Sequence, residues 1–148
     1  MTLSNIATFE LQLLRAVAAL YAQHPKPVNM GSLRILAPHI EAGDPDYNIR
    51  VEEAAGTLRW LHRNGIVIGD LHAGEDIASI GDAQLSLAAY VKLRATEGGG
   101  GKTLGRIAIE TLASGTEQEI AAIAALVVQR LCGRESAFRR VNASPTSW

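Results

Sequence analysis

Between residues 51 and 70 the chain reads VEEAAGTLRWLHRNGIVIGD, and this stretch constrains the fold more than any other. Val51, Ala54, Ala55, Leu58, Leu61 and His62 recur at helical spacing and mark one inward face. Asn64-Gly65 ends that helix, because both residues tolerate the left-handed conformation that closes a last turn. Ile66-Val67-Ile68 follows at once, and β-branched residues fit a pleated surface, so a strand is expected there. The class that follows is α+β, mainly helical.

The segments around this unit extend the pattern. Ile6, Phe9, Leu13, Val17 and Leu20, widened by Leu14 and Tyr21, form the stripe of a first helix over residues 4–23, with Ser4 or Thr8 as its cap. His24-Pro25-Lys26-Pro27 ends it, since proline restricts the residue before it and lacks a donor. Val28-Asn29-Met30 is a short strand, and Ser32 to Ile40 a short second helix with Leu33, Leu36 and Ile40 inward. Asp44-Pro45 suits an N-cap and first turn, so the helix of the central stretch starts between Pro45 and Val51. DLHAGEDIASIGDA reads as a loop, Gln84 to Leu87 as a returning strand, and AAYVKLRA as a helix.

A helix of the form L-x-x-L-x-x-x-G-I that runs directly into a strand resembles the third helix and first wing strand of a winged helix-turn-helix domain, a superfamily of prokaryotic and phage-type DNA-binding proteins. Ser86-Leu-Ala-Ala89 resembles the T-x-x-G signature that closes many bacterial wings, with alanine in place of glycine. The resemblance covers Ile6 to Ala95 and implies a small β-sheet wing, with the Val28–Met30 strand paired to it. The expected organisation is a winged-helix domain over 4–95, a flexible glycine-rich linker over 96–102, a C-terminal helical hairpin over 103–133 and a polar tail over 134–148. Within the hairpin, Thr116-Glu-Gln-Glu119 is a capping box that starts the last helix.

Composition narrows the classes. Apolar residues make up 47% and charged residues 20%, which excludes a disordered chain. A net charge of −1 gives no global attraction to nucleic acid or anionic membrane. A single cysteine, Cys132, excludes an internal disulfide framework and fits a reducing compartment. MTLSNIATFE lacks the basic start and apolar run of a signal peptide, and the longest apolar run, Ile120 to Val128, is nine residues, too short for a membrane span. A cytoplasmic protein without membrane contact is expected.

Residues with catalytic or ligand chemistry do not assemble into a site. GGGGKT over 98–103 lacks the glycine that a phosphate-binding loop needs at position 96, where Thr96 stands, and lacks a preceding strand. Asp70 and His72 share a strand face near Glu75 and Asp76, but that set is short of a closed metal site. His62 faces inward and reads as a packed residue. No G-x-S-x-G occurs, and Cys132 has no histidine nearby in sequence. The expectation is no enzyme, no metal and no cofactor.

DNA contacts are expected from Arg34, Asn48, Arg50, Arg59 and Arg63. With Leu58 as the core direction, Arg59 lies about 100° and Arg63 about 140° round the helix, so both project outward as a recognition helix requires. Asn48 and Arg50 sit at its N-terminal end, where base edges are met. Glu52 and Glu53 share the exposed surface. Trp60, at about 200°, faces away from the core and is half-covered by the wing or a neighbouring segment, or else is a protein anchor. Residues 1–95 carry 8 Lys/Arg against 10 Asp/Glu, a net −2, and the wing has no Lys or Arg. A small bacterial or phage-type transcriptional regulator binding double-stranded DNA is therefore the first expectation. The alternative is a winged-helix module that binds a protein and not DNA, such as a phage-encoded inhibitor. The last helix is apolar over a wide arc, so Ile120, Ala121, Ala125, Leu126 and Val128 are expected at a homodimer interface.

Overall fold

The computed structural model describes residues 5–35, 43–74, 78–96 and 101–132. Among these residues the fold is α+β, with five helices and one antiparallel three-stranded sheet. The order is α1 (Asn5–Gln23), β1 (Val28–Gly31), a 3-10 turn (Ser32–Ile35), α2 (Tyr47–Arg63), β2 (Val67–Ala73), β3 (Ala78–Leu85), α3 (Leu87–Arg94), α4 (Leu104–Ser114) and α5 (Glu117–Leu131). The expected second helix shows only its first turn, and the remainder of it lies outside the described residues. Among the described residues, no helix is long and apolar enough to cross a membrane.

α1 is the hub. Thr8, Gln12, Leu13, Leu14, Ala16, Val17, Ala18 and Leu20 are all buried, which covers nearly every side of the helix. A single inward stripe is therefore too narrow a description, and Thr8 lies inside the helix instead of capping it. The reason is that α1 meets α2 and the sheet as well as α4 and α5. The α1–α2 seam holds a polar pair, with Thr57 Oγ1 donating to Gln12 Oε1 at 2.9 Å.

α2 ends as its residues dictate. Asn64 caps it, and Gly65 takes φ +71°, a conformation that glycine adopts without a Cβ penalty. Ile66 is buried, and Val67 then begins β2 in a sheet whose order is β1-β3-β2. The hairpin is longer than expected. Most of DLHAGEDIASIGDA is strand, because β2 and β3 pair from Val67↔Leu85 out to Ala73↔Ala78. Between Ile68 and Asp70 the register shifts: two steps on β2 face three on β3, from Gln84 to Gly81, so the bulge is on β3, where Asp82 takes φ +50°. Opposite it Gly69 takes φ +139°, and a Cβ there would sit 2.6 Å from the Gly81 carbonyl oxygen. The acidic tip residues Glu75 and Asp76 lie outside the described residues.

Ser86 caps α3 by accepting from the Ala89 amide at 3.2 Å. The glycine-rich segment is pinned at both ends: Thr96 bridges Thr103, and the Leu104 amide donates to the Ala95 carbonyl at 2.9 Å. The segment after it does not hang from a free tether, as a flexible linker would leave it. Tyr21 stacks on Tyr90 and exchanges a 2.9 Å hydrogen bond with Thr103, fixing α4 to α1. The capping box of α5 forms in full, and Ala124, Val127 and Leu131 join the same core as Leu13 and Leu58.

Candidate nucleic-acid interface

One face of α2 stays in solvent, and its composition follows from the helical period. Val51, Ala54, Ala55, Leu58 and Leu61 are buried. The opposite side presents Ile49, Glu52, Gly56, Arg59 and Arg63, spaced three or four residues apart. This ridge spans about 21 Å at 1.5 Å per residue. Ile49, Glu52 and Arg63 are exposed, and Gly56 and Arg59 are half-exposed. A Cβ on Gly56 would meet nothing within 4 Å, so the ridge carries an open notch at its centre.

The expected contact residues separate into three groups. Arg59 and Arg63 lie on the ridge, and neither has an acidic partner among the described residues. Asn48 is exposed in the first turn, beside Ile49. Arg50 is different. It is only 9% exposed, and its Nη1 donates to Glu53 Oε1 at 2.7 Å. It therefore does not reach outward to a base edge as expected. The physical reason is its position about 80° from Leu58, on the core side of the wheel. Burial of a cation is tolerable because Glu53, one turn on, neutralises it. Arg34 is exposed but sits on the 3-10 turn, where its Nη1 donates to the Asn29 carbonyl at 3.1 Å.

Trp60 is half-buried, with Phe9 of α1 meeting it edge-to-face at 5.2 Å between centroids. It is covered by a neighbouring helix and is not a free anchor. His62 is half-buried too, its Nε2 lying 3.0 Å from the Gly69 carbonyl oxygen, which ties the end of α2 to β2 opposite the bulge.

The hairpin beside α2 is acidic. Its described strand residues hold Asp70 and Asp82, both exposed, and no lysine or arginine. Ile68 is 49% exposed on β2, and Ile49 is 53% exposed on the ridge. Asp70 and His72 are exposed neighbours on β2, and no group of three His, Cys, Asp or Glu able to hold a metal occurs among the described residues.

On α5, Ala121 and Ala125 are exposed, while Ile120, Leu126 and Val128 are half-buried against the chain's own core. α1, α3 and α4 take much of the apolar arc that was expected to face a second copy. The largest exposed apolar side chains lie elsewhere, with Leu87 at 77% and Val91 at 59% on α3. Neither was singled out from sequence, although their i, i+4 spacing on a capped helix was readable. Arg15 was also missed, because it sits on a helix read only for its apolar stripe.

Comparison with protein-family models, with curated proteins and with solved structures finds no match for this chain.

Proposed function

We propose that this chain is a winged helix-turn-helix protein that binds double-stranded DNA through α2, as a small bacterial or phage-type transcriptional regulator. The observation that carries the reading is the α2 ridge, with two guanidiniums that have no acidic partner among the described residues, on a helix that runs directly into a β-hairpin. Support for the winged-helix identity comes from the sheet order β1-β3-β2. The winged-helix resemblance implies a strand between the first two helices that pairs with the wing, and β1 pairs with β3.

In this reading α2 enters the major groove, Arg59 and Arg63 meet phosphate or guanine edges, and Asn48 meets a base near the helix start. The acidic hairpin stays off the backbone, because a carboxylate near phosphate repels it. Fewer phosphate contacts mean a shallow salt dependence. A second copy on the other half-site would meet this one through the side of α5 that carries Ala121 and Ala125, where small side chains let helices approach closely.

The test is a selection from random duplexes with the full chain, followed by anisotropy titration at ~50 mM salt. Arg59→Ala and Arg63→Ala should each weaken binding by about 1–3 kcal/mol if they contact a base, or flatten the salt slope by about one unit if they contact phosphate. No enrichment and no binding to any duplex would sink the proposal. It would favour the second reading, a protein-binding winged helix, for which exposed Ile49 and Ile68 beside an acidic hairpin are the specific support.

A further inference from the structure

A cavity of about 430 Å³ opens between α1, β1, the 3-10 turn and α4. Its size arises from small residues: Ala18 and Ala22 stand one turn apart on α1 and leave space that larger side chains would fill. Met30 and Ile109 add apolar wall. This volume lies in the range of small-molecule sites, which combine apolar walls with a few convergent polar groups.

The polar groups here are all of one sign. Arg15 and Arg34 both line the cavity, and no described lining residue is acidic. Both are cations, so an anion bound in the cavity gains attraction from each. Both are also held in place. Arg15 Nη2 donates to the Arg34 carbonyl at 3.2 Å, and Arg34 Nη1 donates to the Asn29 carbonyl at 3.1 Å. A guanidinium has five N–H donors, so each retains donors beyond those bonds. Arg15 Nε is buried and has no hydrogen-bond partner among the described residues. Burial also pulls the Arg15 pKa down, which is the response of a cation lacking a compensating charge.

We propose that this cavity binds a small organic carboxylate with an apolar body, its carboxylate held by Arg15 and Arg34. A planar carboxylate accepts paired N–H bonds from a guanidinium and supplies the missing negative charge. The apolar tail lies along Ala18, Ala22, Met30 and Ile109. Inorganic phosphate satisfies the cations but leaves the apolar wall empty, and a neutral alcohol does the reverse. The site does not depend on whether α2 binds DNA.

The experiment uses the full chain with three probes: octanoate, octan-1-ol and inorganic phosphate. Calorimetry gives affinities, and amide chemical shifts locate the bound probe. Octanoate should bind saturably, with shifts centred on Ala18, Ala22 and Met30. Octan-1-ol should bind roughly tenfold more weakly, since charge-assisted hydrogen bonds carry the difference. Arg15→Met, which keeps an apolar stem, and Arg34→Gln, at an exposed position, should each weaken octanoate by roughly tenfold. If Arg15→Met does not fold, Arg34→Gln alone decides. Octan-1-ol or phosphate binding as tightly as octanoate, shifts centred on exposed Leu87 and Val91, or Arg34→Gln binding like wild type would each overturn the proposal. So would no saturable octanoate binding up to ~10 mM.

Discussion

Two glycines in helices offer opposite outcomes for the same substitution, and the contrast tests how α4 is docked. Gly56 on α2 has nothing within 4 Å of an added Cβ. Gly56→Ala should therefore show only the helix-propensity gain, about 0.5–1 kcal/mol. Gly105, in the first turn of α4, is buried, and its Cβ would lie 2.5–2.6 Å from three atoms of the Tyr21 ring. Carbon atoms in contact prefer about 3.5–4.0 Å, so the overlap is about 1 Å. The ring has no easy retreat. Its hydroxyl is bonded to Thr103 at 2.9 Å, and Tyr90 stacks on it at 5.7 Å. Overpacking of this kind costs about 1–3 kcal/mol, partly offset by propensity, for a net loss of up to about 2.5 kcal/mol.

For a domain of this length each kcal/mol moves Tm by roughly 2–4 °C. Thermal unfolding followed by circular dichroism should show Gly56→Ala melting about 1–4 °C above wild type and Gly105→Ala below it by up to about 10 °C. A background of Tyr21→Ala, which removes the ring, should bring the two substitutions to the same sign. If Gly105→Ala melts as high as Gly56→Ala in the wild-type background, α4 does not pack on Tyr21 at this distance and the argument fails.

Further predictions concern α5 and the α4 surface. Leu126 packs half-buried against the chain's own core, so Leu126→Glu should lower Tm, by roughly 1–3 kcal/mol of stability, without changing the molecular mass seen by light scattering. A loss of mass at unchanged Tm would instead place Leu126 between two copies. The Glu110 carboxyl titrates below its ordinary range, first because Lys102 donates to it, at 2.7 Å, and with Arg106 adding a smaller share. A depressed folded pKa contributes stability above the unfolded value and loses it as pH falls through the folded one. Both partners are largely in solvent, so the consequence is read from titration: a carbon-detected titration of Lys102→Met should show the Glu110 carboxyl moving up toward its ordinary range.

The central unit was legible from sequence because its signals are local. The helical stripe of α2, the Asn64-Gly65 stop, the Ser86 cap and the Thr116–Glu119 box each depend on residues within four positions. The hairpin was not, because its pattern changes parity. Ala78 and Ile80 point inward, and so do Ala83 and Leu85, with the bulge between them. A period-two reading fails across such a shift, and glycines with acids then look like a loop. α1 was under-read for another reason. Its full burial depends on α4 and α5, more than eighty residues on, and nothing within α1 announces them. The winged-helix and DNA-binding expectations rest on the order of elements and on the α2 ridge, which local spacing did place.

Arg63 requires a sharper test than deletion, because two roles coincide in it. It is the last residue of α2, and a cation there stabilises the helix by about 0.3–1 kcal/mol through the macrodipole, whether or not anything binds. It is also a guanidinium on the exposed ridge with no acidic partner among the described residues. Arg63→Ala removes both roles at once. Arg63→Lys keeps the charge beside the last carbonyls and so should leave Tm unchanged within about 1 °C. It does not keep the planar fork that reads the O6 and N7 of guanine, a contact worth about 1–3 kcal/mol of discrimination. If Arg63 reads a base, the lysine variant should therefore bind its selected duplex roughly tenfold more weakly, while its affinity for unrelated duplexes stays level. If the lysine variant binds the selected duplex as tightly as wild type, Arg63 contributes only charge, and sequence must be read by Arg59 and Asn48.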